Sequence, residues 1–147
     1  MPSQPVITLI ATDAEITACY PVMRELRPHL VAAEFVDRVR RQMASGYQLA
    51  AAWVGSEVVA VAGFRLSENL AWGRFLYVDD LVTRADQRSH GYGAALLAWL
   101  KAYAAAEGCA QLHLDSGTWR KDAHRFYERE GMRLSAFHFV WEVEPTP

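Results

Sequence analysis

Residues 76 to 107 read LYVDDLVTRADQRSHGYGAALLAWLKAYAAAE. Leu76 to Thr83 is an apolar, β-branched run broken only by Asp79 and Asp80, which predicts a strand within Phe75–Thr83. From Gly91 onward Leu96, Leu97, Leu100 and Tyr103 recur at helical spacing with alanines between them. That pattern predicts a helix to about Glu107, stopped by Gly108. Between strand and helix lies Arg88-Ser89-His90-Gly91-Tyr92-Gly93. A chain that turns through two glycines into a helix leaves N–H groups and the positive helix end at one spot, which suits a phosphate. A helix start that merely needs small residues is the plain alternative, and the glycines alone do not separate the two. The spacing fits neither the phosphate loop of nucleotide triphosphatases nor the dinucleotide fingerprint.

Upstream, Val6 to Ile10 is β-rich, and Thr12 with Glu15 forms a capping-box pattern ahead of Ile16, Cys19, Tyr20, Met23 and Leu26. Pro21 falls inside that helical pattern, so a kink or two shorter helices is expected there. Phe35, Val39 and Met43 mark a second helix over about Ala32 to Ala44. Tyr47 to Val54 and Glu57 to Leu66 read as a hairpin through Gly55-Ser56, with Ala60, Ala62 and Gly63 small enough for close packing. Ser67 to Gly73 reads as a turn, with room for a little extra strand around Leu70 to Trp72. Downstream, Cys109 to Leu114 alternates as a strand, Asp122 to Glu130 reads as a short helix capped by Gly131, and Arg133 to Val143 as a final aromatic strand. The order β-α-α-β-β-β-α-β-α-β predicts an α/β fold, a mixed central sheet with helices on both faces, in one domain over residues 1–147.

Composition narrows the function classes. A hydrophobic fraction of 52% with 22% charged residues marks an ordered globular chain. The net charge of -2 gives no basic field for nucleic acid, although thirteen of the fifteen basic residues are arginines. Cys19 and Cys109 lack ligand spacing and are expected as buried free thiols in a reducing cytoplasm. No leader-like stretch and no long apolar run is seen, so neither export nor a membrane span is expected. The histidines do not combine with cysteines or carboxylates at metal spacing, and no metal is expected.

The quoted loop, with its strand and helix, resembles the acetyl-CoA-binding signature of the GCN5-related N-acetyltransferases, Gln/Arg-x-x-Gly-x-Gly/Ala, matched by Arg88, Gly91 and Gly93. Residues 123 to 132, AHRFYEREGM, resemble the same family's Ala-x-x-Phe-Tyr-x-x-x-Gly-Phe segment. Two motifs in order, with the element order from Val6 to Val143, carry the likeness over nearly the whole chain. The resemblance implies a mostly antiparallel mixed sheet, acetyl-CoA as acetyl donor, and direct attack of a neutral amine on the thioester. It implies that the backbone from Arg88 through Ser89, His90, Gly91, Tyr92 and Gly93 to Ala94 holds the CoA pyrophosphate. Leu81, Val82 and Thr83 would pair with the pantetheine arm where two strands splay, and could offer an N–H to the thioester oxygen. Tyr127 would assist the departing thiolate; the alternative is a core aromatic. Arg120 stands where the family often has asparagine and could shape the acceptor or reach phosphate.

An ammonium group must lose a proton before attack. Asp79 and Asp80, adjacent in a strand, are expected on opposite faces; Asp80 is taken as the proton acceptor, and either could instead anchor a cationic substrate. Asp115 and His138 are further candidates for the acceptor site, each with a structural alternative. Acceptor specificity is expected from Arg27 to Ala33 and Phe137 to Trp141, with acidic character from the aspartates and aromatic walls from Tyr20, Tyr77, Trp119 and Phe137. The acceptor expected is a small-molecule or peptide amine. A catalytically silent acyl-CoA-binding or regulatory module is the competing class, and a homodimer is compatible with the resemblance.

Overall fold

Apolar residues alternating along strands and recurring every three to four positions along helices assemble a sheet with helices packed on it, as the pattern requires. The computed structural model describes residues 4 to 145, and the chain divides into two compact units, the first ending at Leu114 and the second beginning at Asp115. The first unit holds β1 (Val6–Leu9), α1 (Asp13–Leu26), α2 (Ala32–Met43), β2 (Tyr47–Val54), β3 (Glu57–Asn69), β4 (Gly73–Thr83), a 3₁₀ turn (Ala85–Gln87), α3 (Tyr92–Ala106) and β5 (Gln111–Leu114). The sheet order is β1-β2-β3-β4-β5, antiparallel throughout except for the parallel pair β4–β5, across which α3 makes the connection.

The capping box forms as the sequence indicates. The Glu15 N–H donates to Thr12 Oγ1 at 3.1 Å, and the Thr12 N–H donates to Glu15 Oε1 at 2.9 Å. Of the two outcomes expected at Pro21, a division into two shorter helices does not occur: α1 is one helix across it. Pro21 is exposed, so the carbonyl it deprives of an N–H partner can turn to water. Ile16, Cys19, Val22 and Met23 from α1, and Phe35 and Val39 from α2, bury against Leu49, Ala51 and Val61 of the sheet. The other face of β3 carries Phe64, whose ring meets Trp99 and Tyr103 of α3 at 6.1 and 5.3 Å. Leu96, Leu97 and Leu100 are fully buried there. Each such side chain contributes roughly 1.5–3 kcal/mol on burial. Ala60 and Ala62 are completely inaccessible, the close packing that small residues permit.

Three boundaries differ from the pattern. The β3–β4 ladder extends to Asn69↔Gly73, so most of the expected turn at Ser67 to Gly73 is strand. Local turn chemistry understates a ladder that propagates by pairing. β5 is short, and Cys109 precedes it, tied by its N–H to Ala104 C=O at the end of α3. Cys19 is buried and Cys109 half-buried, both as free thiols.

In the second unit, α4 spans Lys121–Arg129 and closes with the Gly131 N–H on Glu128 C=O and the Met132 N–H on Tyr127 C=O. The final strand expected at Arg133 to Val143 is absent among the described residues, and residues 133–145 adopt no regular structure. Phe137, Phe139 and Trp141 stay exposed, Phe139 at 92%. Aromatic and β-branched composition favours a strand only where a neighbouring backbone accepts its ladder bonds.

Candidate functional site

The site begins where β4 loses one neighbour. β5 pairs with β4 only from Phe75↔Gln111 to Val78↔Leu114, whereas β3 follows β4 on the other edge as far as Ala60↔Thr83. Beyond Val78, the β5-side edge of β4 has no strand partner among the described residues. At that same point Gly63 pairs with Asp80 and Phe64 with Val78, which leaves Asp79 as an extra residue, a β-bulge. Along the unpartnered stretch Leu81 and Thr83 are half-exposed, while the Val82 side chain is buried. Val82 can therefore offer a ligand only its backbone.

The chain leaves β4 through the 3₁₀ turn and reaches α3 by a loop with alternating backbone hand. Arg88 is extended, Ser89 is left-handed at φ 73°, and Gly91 is left-handed at φ 81°. A non-glycine residue held there costs on the order of 1 kcal/mol, as in sites where backbone geometry is imposed. Such alternation turns successive N–H groups toward one concavity. Gly91 caps α3 without any side-chain bond, and no acidic residue stands in the first turn. The first bond closing the helix is Ala95 N–H to Gly91 C=O at 3.0 Å, so the N–H groups of Tyr92, Gly93 and Ala94 lie outside the helical ladder. Space in front of Gly91 is open: a Cβ built there meets nothing within 4 Å. Arg88, Ser89 and His90 are exposed, but the Tyr92 ring is 4% accessible and stacks on His90, so Tyr92 too offers its backbone. An uncapped, dipole-positive cradle fits a diphosphate such as that of CoA.

A cavity of about 630 Å³ opens between α1, α2 and the bulged part of the sheet. The expectation that Asp79 and Asp80 face opposite sides is overturned: both line this cavity, because the bulge resets the side-chain alternation at Asp79. Asp80 accepts from Arg27 Nε at 2.9 Å and from the Tyr47 hydroxyl at 2.8 Å. Asp79 accepts from Arg65 Nε at 2.9 Å, and its carbonyl from Arg27 Nη2 at 2.9 Å. Burial pushes the Asp79 carboxyl up, against the lowering effect of Arg65. Tyr47 is pushed well above the usual phenol range, first by burial and then by Asp80, so it remains a donor.

Tyr47 reaches Asp80 only because residue 63 has no side chain. A Cβ at Gly63 would stand 1.8 Å from the Tyr47 hydroxyl oxygen. Spacing does not single out Tyr47 or Arg65, and it marks Gly63 only as a small packing residue and Arg27 only as the start of the α1–α2 connection. Their one signal is the pairing of Tyr47 with Arg65 and the small residue beside it, which becomes visible only once the hairpin register is known. Arg27, His29 and Leu30 place the expected α1–α2 connection at the cavity, and Tyr77 lines it as an aromatic wall. The acidic character expected there is offset by Arg27, Arg38 and Arg65. Tyr20 instead donates its hydroxyl to Leu30 C=O at 3.0 Å and packs on Phe35.

In the second unit, Arg120 precedes α4 and Tyr127 lies on it. Burial raises the Tyr127 phenol, and the charge of Arg120 opposes that rise. The His124 ring pairs through Nε2 with Gly117 C=O at 2.8 Å. Asp115 and His138, both named as acceptor-site candidates, come together at 3.3 Å. Trp119 and Phe137 are each 79% exposed. Among the described residues no three His, Cys, Asp or Glu side chains converge as metal ligands, and no helix is long and apolar enough to cross a membrane.

Residues 12–132 match the model of the acetyltransferase (GNAT) family. The chain is 33% identical over 132 residues to an uncharacterized N-acetyltransferase, YhdJ, of Bacillus subtilis, covering 88% of this chain and 93% of that protein. It is 33% identical over 85 residues to an aminoalkylphosphonate N-acetyltransferase of Salmonella typhimurium, covering 57% of this chain and 55% of the relative. Among solved structures, AAC(6')-Iy in complex with the bisubstrate analog CoA-S-monomethyl-acetylneamine superposes with a TM-score of 0.83 at 12% identity, over 97% of this chain and 99% of that one. That last likeness is one of fold.

Proposed function

This chain belongs to the acetyltransferase (GNAT) family, and on that premise we propose that it moves the acetyl group of acetyl-CoA to a primary amine by direct attack. The observation that carries the reading is an uncapped helix start following a stretch of β4 whose β5-side edge no strand covers among the described residues. The family match crosses from the first compact unit into the second, which supports reading the whole chain as one transferase domain.

Acetyl-CoA supplies an acyl carbon already activated as a thioester. The N–H groups of residues 88–94 bind its diphosphate, with Arg88 adding charge. The backbone of Leu81, Val82 and Thr83 pairs with the pantetheine amides, and one of its N–H groups stabilises negative charge on the thioester oxygen. As the amine nitrogen bonds to the acetyl carbon and the carbon–sulfur bond breaks, one proton leaves the nitrogen and one reaches sulfur. Asp80 receives the first; Asp79 shares the cavity and holds the incoming ammonium, whose extra proton passes to solvent before the neutral amine attacks. Tyr127 is assigned delivery of the second; its raised pKa keeps the phenol protonated, as a donor must be. Arg120, Asp115 and His138 are assigned to the flanks of the cofactor and acceptor.

Calorimetry with acetyl-CoA and a thiol-release assay over a panel of amines test this reading. Micromolar acetyl-CoA binding with amine-dependent thiol release is expected. Gly91→Trp should abolish binding, since its bulk enters the open cradle and its φ of 81° disfavours any side chain. Unchanged acetyl-CoA affinity in that variant would remove the loop from the site. Binding without thiol release on any amine would leave a silent acyl-CoA-binding module instead.

A further inference from the structure

Taking the cavity between α1, α2 and the bulged strand as the acceptor site, which rests on the transferase reading, we infer that the acceptor is a small amine that also carries an oxyacid anion, a carboxylate or a phosphonate. Three arginines, Arg27, Arg38 and Arg65, face two aspartates in a cavity of about 630 Å³, within the size range of small-molecule sites. Arg27 is spent on Asp80 and Arg65 on Asp79. Among the described residues Arg38 has no ion-pair or hydrogen-bond partner, so the cavity keeps one uncompensated positive charge, with the exposed His29 at its rim.

The paired arginines are also prearranged. Arg65 is fixed by Asp79, by Gln42 at 3.0 Å and by the face of Tyr47, with its guanidinium carbon 5.4 Å from the ring centre. Arg27 is fixed by Asp80 and by the Asp79 carbonyl. In each, the Nη1 amino group meets no acceptor among the described residues. A held guanidinium with spare donors beside a free one is the arrangement that binds a planar or tetrahedral oxyanion. If these arginines served only to tie α1 and β3 to β4, the two ion pairs would suffice and Arg38 would be superfluous. The aspartates receive the ammonium end, so one cavity holds both charges of a zwitterion. A polyamine would instead bring its second cation against Arg38 and be repelled.

The test measures kcat/KM for size-matched acceptors: aminomethylphosphonate and 2-aminoethylphosphonate, glycine and β-alanine, propylamine and ethanolamine, and spermidine. A preference of at least about tenfold for one anionic pair over the neutral amines is expected, and the better pair distinguishes phosphonate from carboxylate. Arg38→Gln should lower that preference by roughly ten- to hundredfold through KM, with Arg38→Lys retaining part of it. Methylphosphonate or acetate should also raise the Tm of the protein without acetyl-CoA, and should compete with the amine but not with acetyl-CoA. Equal use of neutral amines, preference for spermidine, or an Arg38→Gln preference equal to the parent's would overturn the inference and leave the transferase reading intact. Failure of acetyl-CoA to bind, with methylphosphonate protection retained, would overturn the transferase reading and leave the anion site.

Discussion

Gly63→Ala tests the link between the sheet register and the acidic pair. Gly63 sits in β3 opposite Asp80, and its backbone is of a kind that alanine adopts freely, so any penalty comes from the added methyl group. That methyl would lie 1.8 Å from the Tyr47 hydroxyl oxygen, 2.4 Å from Cζ and 2.6 Å from Cε1. The hydroxyl oxygen and two ring carbons overlap, and Tyr47 is 5% accessible, so it must swing away as a whole. It then loses the 2.8 Å bond to Asp80, and a hydrogen bond to a charged group is worth about 1.5–3 kcal/mol. Repacking the ring costs about 1–3 kcal/mol more. A loss of roughly 3–5 kcal/mol is therefore expected, a large part of the ~5–15 kcal/mol that typically holds a domain together. Urea unfolding followed by circular dichroism measures it, with the m-value checking two-state behaviour. Tyr47→Ala provides the partner for a double-mutant cycle: with the ring gone, adding the methyl at position 63 should cost less than about 0.5 kcal/mol. If Gly63→Ala is as harmful without the ring as with it, the overlap with Tyr47 is not why glycine is needed.

Four further outcomes are expected. Tyr127→Phe should lower kcat by roughly 10²-fold or more while acetyl-CoA affinity measured by calorimetry stays unchanged; equal turnover would reduce the hydroxyl to packing. Thr12→Ala removes the cap of α1 and should cost about 0.5–2 kcal/mol in urea unfolding. Backbone bonds from Thr12 and Ala11 hold the Glu15 carboxyl below its ordinary value of 4.5, so its stabilising effect is present above pH 4.5 and is lost as pH falls through the lowered value. Glu15→Gln should flatten that part of the stability–pH curve, and an unchanged slope would count against the box. Burial pushes the Cys19 thiol up to about 12, so thiol reagents at pH 8 should modify the half-buried Cys109 and leave Cys19 untouched in the folded protein; mass spectrometry of labelled peptides decides it.

Much of the fold is local information, which is why the sequence carries it. Thr12 and Glu15 begin α1 through bonds spanning three residues, the Gly55-Ser56 turn joins β2 to β3, and the stripe Leu96, Leu97, Leu100 defines the buried face of α3. The left-handed turn at Gly91 belongs to the same class, since a glycine ahead of an apolar helix already indicates where free N–H groups will gather. The continuity of α1 across Pro21 and the irregular course of residues 133–143 are not legible locally, because each turns on a neighbour that local preference does not contain. For Pro21, burial of the face carrying Cys19, Val22 and Met23 holds the helix across the missing bond. For the C-terminal segment, the described residues supply no ladder to match its strand composition.

By itself the sequence determined the order of the elements, the loop able to take a diphosphate, and the family through two motifs in series. Tertiary structure alone decided that Asp79 and Asp80 share one cavity, that Tyr47 crosses Gly63 to reach Asp80, and that Arg38 stands there without a counter-ion among the described residues. These depend on a one-residue slip in the β3–β4 ladder and on side chains up to 53 positions apart in the chain. A bulge costs nothing that composition or spacing records; it is set by how two strands fit once the helices on both faces have fixed their register.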